Sequence, residues 1–193
     1  MKIALIDYGA GNVQSVKYAV KRLGYEPVLT KDHEEIRSSD KVIFPGVGSA
    51  KAAMVQLQMS GLDELIPTLK QPVLGVCVGM QLMCKYSFEG NVSCLGIIDA
   101  EVKKFEGAMK IPHMGWNTIS DVKSTIFEHS LEKEQVYFVH SYYVPINKYT
   151  IAETSYGLSF SAAIQKDNFY AVQFHTEKSG DIGSQILKKF LEL

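Results

Sequence analysis

Residues 72–77, PVLGVC, form an almost unbroken apolar run. A segment that is apolar at every position has no solvent face. It predicts a strand buried on both sides, and so a parallel sheet covered by helices above and below. The rest of the first half agrees. KIALID (2–7) reads as a strand, and Asn12 caps a helix whose Val13, Val16, Val20 and Leu23 share one face and which Gly24 ends. EPVLT (26–30) is a short strand, and DKVIFPGVGSA (40–50) is a strand that runs into a glycine-rich loop. Residues 49–58 and 62–70 read as helices, and GMQLMCKYS (79–87) as a further helix after the apolar run.

The second half is richer in strands: AEVKKF (100–105), VYFVHSYYV (136–144), TIAETSY (150–156) and SAAIQKDNFYAVQFH (161–175), the last a hairpin turning at KDN. A final helix carries Ile182, Ile186, Leu187, Phe190 and Leu191 on one stripe, with Lys188 and Lys189 outside it. The expected fold class is α/β: a mostly parallel central sheet with helices on both faces, plus an antiparallel strand-rich addition placed before the last helix. A chain of 193 residues suits a single domain spanning 1–193.

Charge and cysteine usage narrow the function classes. The 20 basic and 21 acidic residues nearly cancel, so no nucleic-acid partner is expected. No window reaches the roughly 18 consecutive apolar residues of a membrane span. MKIALIDYGAGN meets an acid and a glycine too early for a secretory signal, which points to the cytoplasm. The three cysteines, Cys77, Cys84 and Cys94, do not have zinc-site or CxxC spacing, so free thiols, no metal and no cofactor are expected. Cys84, seven residues after Cys77 on the expected helix, and Cys94 are read as structural.

Cys77 differs from the other two because glycines bracket it in GVCVG (75–79). Gly-x-Cys-x-Gly is the thiol counterpart of the Gly-x-Ser-x-Gly nucleophile elbow, a strained strand-to-helix turn that flanking side chains would obstruct. Such a turn exposes the sulfur at the carboxyl end of the sheet, places it at a helix start and aims the amide of Val78 at an oxyanion. Without that context a lone cysteine reads as buried core.

A thiol nucleophile for acyl transfer needs a base. Of the five histidines, His33 and His129 lie in charged, turn-like segments, while His113 and His140 sit in segments that either could bring to a site. His175 ends the strand FYAVQFH, and Glu177 follows two residues on. If the extended chain continues, both side chains share one face and Glu177 holds the imidazole. The alternative is a strand end carrying a solvated salt bridge, or half of a metal site. FPGVG (44–48) offers backbone amides to a carbonyl or anion, or is a simple turn between strand and helix. It lacks the Gly-Lys-Ser/Thr ending of a phosphate loop, and YGAGN (8–12) lacks the third glycine of a dinucleotide fingerprint. Trp116, the only tryptophan, sits in HMGWN and reads as a loop residue, either core or interface anchor.

In order along the chain, IDYGAGN, PGVG, GVCVGMQ, PHMGWN, FVHSYY and FHTEKS resemble the class I, triad-type glutamine amidotransferases over essentially the whole length. PGVG, MGWN and the lysine after the acid are most similar to the branch that serves histidine biosynthesis. The resemblance implies a glutaminase with Cys77 as nucleophile, His175 as acid and base, and Glu177 orienting it. It also implies an oxyanion hole from the amides of Val78 and Val47, and glutamine held at Gly46, Gly48, Gln81, Ser141 and Tyr142. Asn12, Trp116, Tyr137 and Lys178 match interface positions toward a separate (β/α)8 cyclase subunit that receives the ammonia as a heterodimer and switches the glutaminase on. Thr176 stands where the family has proline, which leaves the backbone between base and acid freer. Two other readings are a triad glutaminase feeding a different synthase, such as one for sugar amination, and a non-catalytic subunit regulating a barrel enzyme.

Overall fold

The computed structural model describes residues 1–9 and 13–193; Asn12 lies outside them. In chain order the first half comprises β1 (Ile3–Ile6), α1 (Val13–Arg22), β2 (Val28–Thr30), α2 (His33–Arg37), β3 (Lys41–Gly46), α3 (Ala50–Ser60), α4 (Leu62–Leu65), β4 (Val73–Cys77), α5 (Val78–Met83), β5 (Cys84–Ser87) and β6 (Val92–Ser93). The second half comprises β7 (Ile98–Lys104), β8 (His113–Thr118), β9 (Gln135–His140), β10 (Tyr142–Tyr143), β11 (Thr150–Tyr156), β12 (Leu158–Lys166), β13 (Phe169–Val172) and α6 (Gly180–Leu191).

A seven-stranded sheet in the order β11-β12-β13-β4-β3-β1-β2 runs through the molecule. From β13 to β2 all neighbours are parallel, while β12 and β11 add on antiparallel. Helices cover both faces: α1 and α6 meet at the 3₁₀ turn Thr176–Lys178, and α3 contacts both α4 and α5. Every residue of β1, β3, β4 and β13 is buried, as a strand covered on both sides requires. The expected α/β class therefore holds. The strand-rich addition is divided, because β11 and β12 extend the main sheet while β10-β7-β5-β6 and β8-β9 form two small sheets.

Four local expectations change. GMQLMCKYS is not one helix: α5 stops at Met83, and Cys84 begins β5, which pairs with β6 and β7. Cross-strand pairing outweighs the helical spacing there. Residues 62–70 form only one turn of α-helix before a 3₁₀ turn, Ile66–Thr68, because Pro67 has no N–H to continue the ladder. Trp116 lies on β8, opposite Tyr137 of β9, and not on a loop. Helix α2 was not expected, although Asp32 caps it by accepting from the Glu35 amide at 2.8 Å. The Asp-x-x-Glu spacing was the signal for it.

Candidate active site

Strand order places the candidate groups. β4 lies between β3 and β13, and all three run the same way, so their carboxyl ends lie side by side. Gly46 is in register with Cys77, and Val172 with Val76. The PGVG loop leaves β3, Cys77 ends β4, and the segment Gln173–His175 leaves β13.

Cys77 has φ 54° and ψ −111°, an uncommon conformation for a residue with a side chain. Such strain costs on the order of 1–3 kcal/mol and persists only where surroundings over-determine it. The surroundings here are the close seating of α5. A β-carbon on Gly79 would lie 2.1 Å from the Phe44 carbonyl oxygen, and one on Gly46 would lie 2.5 Å from the Gly79 nitrogen. One on Gly75 would meet Gly79, Met83 and Ala171 at 3.0–3.1 Å. The glycines let the first turn of α5 press onto β3 and β4, and that contact turns the thiol out of the sheet.

His175 is buried, and its Nδ1–H donates to Glu177 Oε1 at 2.8 Å. The two side chains do not meet on a continued strand. His175 is extended, but Thr176–Lys178 wind into a 3₁₀ turn that brings Glu177 back to the ring. Thr176 therefore opens a helical turn, a place proline also suits, and its buried hydroxyl has no hydrogen-bond partner among the described residues. Burial disfavours the His175 cation, but hydrogen bonds and charge from Cys77 and Glu177 outweigh it and raise the pKa to about 10. A positive ring therefore faces the sulfur at neutral pH. The stabilisation from this pairing is complete below the ordinary value of 6.5 and is lost as pH rises through about 10.

A cavity of about 500 Å³ opens over these groups. Val47, Gly48, Cys77, Val78 and Gln81 line it, as do Ser141, Tyr142, His175 and Lys178. Gly46 does not; its place is under the start of α5. Trp116 and Tyr137 stand apart from the cavity, with ring centroids 5.8 Å apart, and the Tyr137 carbonyl accepts from the His175 amide at 2.9 Å. Trp116 is 54% exposed and Met114, two residues earlier on β8, is 62% exposed. A larger depression of about 1120 Å³ beside Thr30, Lys31 and His33 holds none of the three candidate catalytic side chains.

Three further residues belong to this region and were not singled out in the sequence. Glu89 lines the cavity and accepts from the Ala50 amide at 2.7 Å. The Val139 carbonyl faces Cys77 Sγ at 3.8 Å. Gln173, a polar residue within the apolar run FYAVQFH, reaches both Gln81 and Cys77. The settings of the other cysteines disfavour their thiolates. Burial pushes the thiol of Cys84 far up and that of Cys94 up to about 12, the latter helped by the charge of Glu89.

His113 and His140 form a buried pair, His140 in the cavity wall beside Tyr142 and His113 behind it, with His113 Nδ1 2.9 Å from His140 Nε2. The His113 ring stacks on Tyr156 at 4.1 Å and on Phe138 at 4.9 Å. Burial lowers the His113 pKa to about 4. It lowers His140 to about 3, opposed by the bond to the Tyr142 carbonyl and assisted by the neighbouring His113 and His175. Both values lie below the ordinary 6.5, so the unfolded chain takes up these protons first. Stability is therefore expected to fall as pH drops from 6.5 toward about 4, with each histidine contributing about 1.4 kcal/mol per pH unit over its window. Urea midpoints measured across that range test this, and a flat profile would contradict it.

Residues 4–193 match the family "Glutamine amidotransferase class-I". The chain is 59% identical over 196 residues to imidazole glycerol phosphate synthase subunit HisH of Bacteroides fragilis strain YCH46, covering 100% of both. It is 48% identical to the subunit of that name from Yersinia pseudotuberculosis, again over 100% of both. Among solved structures it is similar to a glutamine amidotransferase at TM-score 0.77 and 17% identity, covering 98% of this chain and 97% of that one. It is similar to PurLQS from Thermotoga maritima at TM-score 0.70 and 14% identity, covering 99% and 97%. At those identities the structures speak for the fold alone.

Proposed function

Since the chain belongs to the class I glutamine amidotransferase family, we propose that it is the glutaminase subunit of imidazole glycerol phosphate synthase in histidine biosynthesis. Its reaction is the hydrolysis of glutamine to glutamate and ammonia. The observation that carries this reading is the position of His175, paired with Glu177 at 2.8 Å, beside a cysteine at φ 54° in the same cavity.

In this reading the Cys77 thiolate attacks the side-chain amide carbon of glutamine. The carbonyl becomes a tetrahedral oxyanion held by the Val78 amide and by an amide of the Pro45–Gly48 loop, assigned to Val47. His175, protonated at neutral pH, gives its proton to the departing ammonia and leaves a thioester on Cys77. It then takes a proton from the water that hydrolyses the thioester. Glu177 keeps the imidazole in the tautomer that faces the sulfur. Gly48, Gln81, Ser141 and Tyr142 line the cavity that takes the glutamine, and Gly46 serves it indirectly by seating α5. Glu89 offers the carboxylate that an α-amino group requires.

Ammonia passes to a (β/α)8 cyclase subunit, which uses it to form imidazole glycerol phosphate and an aminoimidazole carboxamide ribotide. Met114 and Trp116 form an exposed apolar pair on β8, next to Tyr137 and close to the segment carrying His175, and such a patch suits a docking surface. Lys178 is exposed and lines the cavity, so the docked subunit would border the site. The test is glutamate release by this chain alone, with the cyclase, and with the cyclase and its nucleotide. Release is expected to rise at each step. No release under any of the three conditions would overturn the reading.

A further inference from the structure

Gln173 is fully buried beside the sulfur, and nothing in the mechanism above uses it. Its Nε2 lies 3.8 Å from Cys77 Sγ, and its Oε1 accepts from Gln81 Nε2 at 3.0 Å. An amide can sit either way round, so its neighbours decide which end faces the sulfur. The Tyr142 carbonyl can only accept. It takes the Nδ1–H of His140 at 2.7 Å and an Nε2–H of Gln81 at 3.0 Å. That fixes the Gln81 amide with its nitrogen inward, and the second hydrogen of the same nitrogen goes to Gln173. Gln173 must present oxygen there and therefore N–H to the sulfur. Behind His140 the same polarity continues: His113 Nδ1–H donates to His140 Nε2 at 2.9 Å, and Asn117 Nδ2 donates to His113 Nε2 at 3.2 Å. With both rings neutral, every donor in this series meets an acceptor.

We propose that Gln173 is a further catalytic residue whose side-chain N–H donates to the ionised sulfur of Cys77, and that the series Asn117–His113–His140–Tyr142–Gln81 holds that N–H in place. The proposal rests on the reading of Cys77 as the nucleophile. As a thiol, Cys77 donates to the Val139 carbonyl at 3.8 Å. On ionisation that contact turns repulsive, and a fixed amide donor on the other flank offsets it. The titratable groups around the sulfur are His175, backed by Glu177, and the buried Tyr8 hydroxyl, which donates to the Pro45 carbonyl at 3.0 Å. His140, Glu89 and Lys178 complete the cavity wall. None of these is hydrogen-bonded directly to Gln173 among the described residues.

The test is the pH profile of Cys77 alkylation by iodoacetamide in the full chain, read by mass spectrometry on the Cys77 peptide so that Cys84 and Cys94 do not contribute. Gln173→Met keeps the bulk and has no donor. Gln173→Asn keeps a buried amide, but one methylene shorter, so its N–H is drawn back from the sulfur. In each, the midpoint is expected to move up by about one pH unit, with alkylation below the midpoint about tenfold slower. A purely structural role would lower the melting temperature without moving the midpoint. An unchanged midpoint in either variant, with a circular dichroism spectrum matching the parent, overturns the proposal, and if Gln173→Met does not fold then Gln173→Asn decides. Iodoacetamide needs neither glutamine nor a partner. A shifted midpoint without glutaminase activity would therefore overturn the proposed function and leave Gln173 as a donor to the Cys77 sulfur with no catalytic part.

Discussion

Cys77→Ala is expected to abolish glutamine-dependent ammonia release, a loss of at least about 10³-fold, while the cyclase supplied with free ammonia continues to make product. The size of the effect follows from the chemistry. In the proposed mechanism no thioester can then form, and His175 is left to activate water against an unactivated amide. The remaining oxyanion donors and binding contacts recover little of the difference. The fold should persist, because Cys77 is a small buried side chain and alanine is no worse at φ 54°, and only the pairing of Cys77 with His175 is lost. Glutamate release and ammonia-dependent synthesis measured on the same reconstituted complex separate the two activities. Persistent glutamine hydrolysis would remove Cys77 from the mechanism.

Gly79→Ala is expected to damage both fold and site. The added β-carbon would fall 2.1 Å from the Phe44 carbonyl oxygen, so backbone must move. Phe44 is fully buried in β3, which pairs with β1 on one side and β4 on the other, so the sheet resists. The helix start gives way instead, carrying the Val78 amide and Cys77 with it. Overpacking of this kind costs about 1–3 kcal/mol and sometimes more. The urea midpoint and the rate of Cys77 alkylation should fall together. Gly96→Ala is the control: at φ +67° with no atom within 4 Å of the added carbon, it should cost only local strain of about 1 kcal/mol and leave the alkylation rate alone. Equal loss in both variants would mean that the close seating of α5 is not what shapes the elbow.

The readable parts of the chain were those governed by nearest neighbours. PVLGVC announced a strand covered on both faces because each of its residues is apolar, and β4 is buried throughout. GVCVG announced a tight turn because two glycines around a cysteine make sense only where side chains would collide, as they would at Gly75 and Gly79. The less readable parts depend on contacts distant in sequence. Trp116 reads as a loop residue because Gly115 and Asn117 flank it, yet β9 is available opposite and pairs with β8 residue by residue. Cys84 fits a helix until β6 and β7 offer backbone partners. His175 and Glu177 meet, but through a 3₁₀ turn and not through the continued extended chain that their spacing suggests. Gln173 carried a faint signal, one amide in an apolar run, and its meaning required knowing what lay beside it.

The sequence alone determined the class of fold and pointed to the elbow and to a candidate thiol, imidazole and carboxylate, because these follow from apolar periodicity, glycine sterics and side-chain chemistry within a few residues. Tertiary structure alone decided that β13 docks against β4, which brings His175 to a cysteine almost one hundred positions earlier. It also decided which end of the Gln173 amide faces that sulfur. Strand order is settled by long-range pairing, and the polarity of a buried amide by the partners around it; neither is written in the residues on either side.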